Sequence, residues 1–150
     1  IPDHGVASNW VASSIEGGAP GGVDPTGFVG DPNADDDGDS YRALIEYALG
    51  SSDNSPGDSQ GLVDLSFQPF AVAGIADIYL VISYQRNLYS QNIVTLTPEI
   101  STDLDIWNGT PDVVLVSEVD NNDGTSTVTY RSAQPVGNET RAFLRIKATR

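Results

Sequence analysis

Ile78-Tyr79-Leu80-Val81-Ile82-Ser83-Tyr84-Gln85-Arg86 is a run of β-branched and aromatic residues with no Gly or Pro. Its period of two places Ile78, Leu80, Ile82 and Tyr84 on one side, the signature of a strand laid against a core. The same habit extends outward from it. Leu62 to Gln68, Ile93 to Ser101, Val113 to Val119, Thr125 to Arg131 and Phe143 to Ala148 are further strand candidates. Asp120-Asn121-Asn122-Asp123-Gly124 is a turn signal joining two of them as a hairpin. Strands this short and this closely spaced predict an antiparallel β-sandwich of roughly six to eight strands over residues 61–150.

Ahead of that half the pattern changes. Asp35-Asp36-Asp37-Gly38-Asp39-Ser40-Tyr41-Arg42-Ala43-Leu44-Ile45-Glu46 sets oxygen donors at positions 1, 3, 5, 7 and 12 of an EF-hand-type loop. Ca²⁺ is a hard cation that takes six to eight oxygens. The expected ligands are the carboxylates of Asp35, Asp37 and Asp39, the carbonyl of Tyr41 and the bidentate carboxylate of Glu46. Ser40 stands where a Gly normally makes the sharp turn, and Ala43 at the ninth position has no side-chain oxygen, so a water is expected there. Tyr41, Leu44, Ile45, Ala48 and Leu49 form one apolar helical stripe, and Gly50 follows as a C-terminal cap. Glu46 lies off that stripe, so ion binding would fix the first helical turn and dock its apolar face together.

The chain has 150 residues, seven of them basic and 21 acidic, for a net charge of −14. That balance argues against nucleic acid and against an anionic membrane surface, since both need clustered Lys and Arg. No Cys occurs, which removes disulfides and thiolate chemistry, and His4 is the only histidine. No apolar run is long enough to insert in a membrane. With no Met and Ile1 at its start, the chain is expected to be a processed product. Weak calcium sites belong where the ion is abundant, so the expected setting is extracellular or the cell surface.

The run from Asp35 to Gly50, ending Glu46-Tyr47-Ala48-Leu49-Gly50, resembles the DxDGDG…EYALG segment, related to thrombospondin type-3 loops, of modules near the C-termini of large secreted bacterial proteins. Later landmarks are similar too: Ser83 to Arg86, Glu99 to Leu104 with Trp107 behind, Tyr130-Arg131, and Ala142 to Ile146. The resemblance implies a calcium-stabilised, non-catalytic β module serving as an accessory or terminal part of a parent surface protein.

The expected organisation is thus mainly β: an N-terminal arm with calcium loop and one short helix over residues 1–60, then the sandwich over 61–150. The stretch from Ser51 to Gly61 reads as a linker. Residues 1–30 hold few apolar side chains, so Trp10 is the expected anchor of the arm. That arm could fold back on its own domain, or cross to another copy and build a homopolymer, as a filament or surface layer. The alternative function is a carbohydrate-binding accessory module, for which Trp107, Tyr84, Tyr89 and Tyr130 are the candidate platform. Catalysis by an acid pair drawn from Glu99, Asp103 and Glu118 has no spacing to single it out. Asn108-Gly109-Thr110 and Asn138-Glu139-Thr140 match the glycosylation triplet.

Overall fold

A computed structural model describes Phe28 and residues 30–138 and 141–150, which leaves Trp10 and the remainder of the arm outside the described residues. Within them the protein is mainly β. Helix α1 (Ala43–Leu49) is followed by β1 (Val63–Val72), β2 (Ile75–Asn87), β3 (Thr95–Ser101), β4 (Val113–Asp120), β5 (Thr125–Ser132) and β6 (Phe143–Thr149). One antiparallel sheet has the order β1-β2-β5-β4 and the other pairs β3 with β6. All six predicted strands are present, and Asn122 and Gly124 take the left-handed conformations, φ 59° and 89°, that close the β4–β5 hairpin.

The helix is part of the sandwich core. Leu49 is fully buried with Tyr84 and Val128, and Tyr41, Ile45, Val63, Tyr130 and Ile146 pack around them. A second cluster sets Ala43, Leu44 and Ala48 against Phe28 and Val94, with Phe28 edge-on to Tyr47 at a ring separation of 5.5 Å. The predicted helical stripe therefore divides between two clusters, both bridging α1 to the strands. Full burial of one large apolar side chain such as Leu49 stabilises by roughly 1.5–3 kcal/mol. Tyr84 and Tyr130 stack in parallel, and burial of the Tyr84 phenol raises its pKa, with the neighbouring Tyr130 adding to the rise.

Strand β2 departs from simple alternation. Tyr79, Leu80, Val81 and Ile82 are all buried, whereas Ile78 is 41% exposed. The register accounts for Ile78: β5 pairs with β2 only from Val81 onward, so the start of β2 lies in a two-stranded ribbon shared with β1. On the side away from Tyr84, Arg131 caps the Tyr79 ring at 4.7 Å, and Phe70 meets the same ring edge-on.

Candidate metal centre

Two left-handed residues shape the acidic loop. Gly38 has φ 76° and Ser40 φ 79°, so Ser40 adopts the turn conformation that glycine ordinarily supplies at this place. The chain between Asp35 and Tyr41 thereby folds over its own carboxylates. Asp35 accepts from the amides of Gly38 at 2.8 Å and Ser40 at 3.2 Å, Asp37 from Asp39 at 3.1 Å, and Asp39 from Tyr41 at 2.8 Å. The result brings one oxygen from each of Asp35, Asp37 and Asp39 within 4.8 Å of the others. Three like charges held so closely repel one another, and the group could hold a metal ion.

Helix α1 starts immediately after the loop because its first amides find main-chain partners. Ala43 donates to the Ala34 carbonyl at 2.9 Å and Leu44 to that of Pro32 at 3.3 Å. This start places Glu46 inward, with no exposed surface. Its Oε1 accepts from the Ser51 hydroxyl at 3.2 Å, while Oε2 and the buried Oδ2 of Asp37 have no hydrogen-bond partner among the described residues. Burial pushes the Glu46 carboxyl up to about 7; Ser51 opposes that rise, and the charges of Asp37 and Asp39 and the neighbouring Asp53 carboxyl add to it. Glu46 is not one of the three residues gathered within 4.8 Å, but it feels the charges of two of them. A buried carboxylate with one unpartnered oxygen beside an acidic triad is costly in the metal-free chain, and a divalent cation would offset that cost. The donor set, all oxygen, fits such an ion.

Tyr41, at the seventh position, is half-buried against the Leu49–Tyr84–Val128 cluster. Among the described residues its carbonyl accepts no main-chain hydrogen bond outside the regular elements.

Residues 51–61 bring further polar groups to the loop that its spacing did not reveal. Instead of running straight to β1, they fold back over the acidic loop in successive turns. The Ser59 hydroxyl donates to Asp39 Oδ2, the Asp36 amide donates to Asp53 Oδ1 at 3.0 Å, and Ser51 reaches Glu46. Serine and aspartate beside Gly and Pro signal turns in a sequence, but carry no mark of what they turn onto.

The other candidates lie apart from this loop. Glu99 pairs with Arg145 at 2.7 Å, and Glu118 pairs with Arg86. Asp103 accepts from the Ile106 and Asp105 amides and the Ser101 hydroxyl, which hold its carboxyl below the usual range. The Arg145 guanidinium covers the Trp107 ring at 4.0 Å. Tyr84 is buried, whereas Tyr89 is 44% exposed and rests on Gly124, where an added Cβ would fall 2.7 Å from the ring.

Among the described residues no helix is long and apolar enough to cross a membrane. No family model, curated protein or solved structure matches the chain.

Proposed function

We propose that the chain is a calcium-stabilised, non-catalytic β module that acts outside the cell as a structural or adhesive part of a surface protein. One observation carries the calcium reading: Glu46, at the twelfth loop position, is fully buried with one oxygen unpartnered beside the Asp37 and Asp39 charges. Asp35, Asp37, Asp39, the Tyr41 carbonyl and Glu46 would hold the ion. Three monodentate carboxylates, one carbonyl and a bidentate Glu offer about six oxygens, which suits Ca²⁺ better than Mg²⁺, a smaller ion that keeps several waters. The bound ion supplies folding energy rather than reaction chemistry, because Glu46 sits on the helix whose Leu49 joins the sandwich core. A modest affinity suits an extracellular setting, where calcium is abundant.

The adhesive part of the proposal rests on β1. It is an edge strand of ten residues, and Leu65 and Phe67 on it are 55% and 68% exposed. A second copy pairing along this edge would extend the sheet from molecule to molecule.

Calorimetric titration of the chain with calcium tests the site. One ion should bind with a dissociation constant on the order of 0.1 mM, and Glu46→Gln should weaken it at least tenfold. An absence of binding by the unsubstituted chain would refute the proposal.

A further inference from the structure

We propose that Ser51 to Ser59 form a strap that closes over the metal centre, with Ser59 positioning Asp39 for the ion. This inference rests on the calcium site proposed above and extends it to residues outside the loop. The strap is tied to the acidic loop at three places by polar groups alone: Ser51 to Glu46, Asp53 to the Asp36 amide, and Ser59 to Asp39. Its composition, Ser-Ser-Asp-Asn-Ser-Pro-Gly-Asp-Ser, offers no large apolar side chain to hold it down. Even so, Ser59 is only 2% exposed. A small hydroxyl buried on a candidate ligand, across twenty residues of chain, fixes the orientation of that carboxylate.

The centre that the strap covers is more than an acidic cluster, because the buried Oε2 of Glu46 lacks a partner there. Closing the strap also brings Asp53 toward carboxylates that already repel, so closure costs energy until a cation offsets the charge. Ion binding and strap closure must then favour each other to the same degree. Outer-shell partners of metal ligands typically account for about 10–100-fold in affinity.

The test is calcium titration of the full chain and its Ser59→Ala and Ser59→Thr variants, with amide hydrogen exchange over residues 51–59. Ser59→Ala should weaken calcium binding by about 10–100-fold, and Ser59→Thr, which keeps the hydroxyl, should restore it. Calcium should slow exchange across the strap in the unsubstituted chain, and less so in Ser59→Ala even at saturation. If Ser59→Ala binds calcium as tightly as the parent chain, or strap exchange ignores calcium, the strap proposal fails while the site stands. If the parent chain binds no calcium, both fail.

Discussion

The side-chain amide of Gln85, on the central strand β2, donates to the main-chain carbonyl of Leu49, the last residue of α1, at 3.0 Å. Asn87 does the same for Tyr47, also at 3.0 Å. A helix end leaves several carbonyls without partners, and α1 has no basic residue in its last turn to meet them. The sheet meets them instead, which fixes how the helix, and with it Glu46, sits on the sandwich. Gln85→Ala should lower stability by about 1 kcal/mol, read as a lower urea midpoint at unchanged slope. Gln85→Glu should cost more, since a carboxylate would face the negative end of the helix.

Glu46 makes the metal-free chain sensitive to pH. Its carboxyl titrates near 7 in the folded state against an ordinary 4.5, so the folded state holds the proton more tightly. The stability this gives is fully present below pH 4.5 and is lost as pH rises through about 7. At about 1.4 kcal/mol for each tenfold change in proton affinity, the loss is roughly 3 kcal/mol. Calcium competes with that proton, so its affinity should rise over the same window. Urea unfolding in calcium-free buffer should show a more stable chain at about pH 5 than at about pH 8, with the Glu46 contribution abolished in Glu46→Gln. A calcium-free difference that Glu46→Gln leaves unchanged would remove Glu46 as its cause.

The strands were legible because they are short runs rich in β-branched and aromatic residues between turn signals, and the β4–β5 turn because Asn122 and Gly124 are residues that accept positive φ. The β1–β2 hairpin was harder to read. Its turn is Ala73-Gly74, and Ala73 takes φ 52°, a conformation its side chain disfavours. The predicted strand stopped at Gln68, whereas β1 runs on through Pro69 to Val72, since an edge strand tolerates proline. In the candidate metal centre, the spacing of Asp35, Asp37, Asp39 and Glu46 was visible because these carboxylates lie on one local stretch of chain. Ser51, Asp53 and Ser59 reach that loop by a chain reversal that no period encodes.

Edge pairing through β1 predicts self-association. Besides Leu65 and Phe67, Ile75 and Ile78 on the same ribbon are 70% and 41% exposed. Sedimentation in calcium-containing buffer should show mass rising with concentration, and Phe67→Lys, which sets a charge on the ribbon, should hold the chain monomeric. An unsubstituted chain that stays monomeric up to about 1 mM would dispose of the filament, since specific self-assembly must be detectable well below that concentration.

The most direct measurement is the melting temperature of the chain in about 10 mM calcium and in chelator, with magnesium as the control for ionic strength. At a dissociation constant near 0.1 mM, calcium adds roughly 2.7 kcal/mol by mass action. For a chain of this size that should raise the midpoint by roughly 5–10 °C, magnesium should do much less, and Glu46→Gln should abolish the rise. A midpoint that is the same in calcium and in chelator would contradict the assignment of the loop as the ion site that holds this fold together.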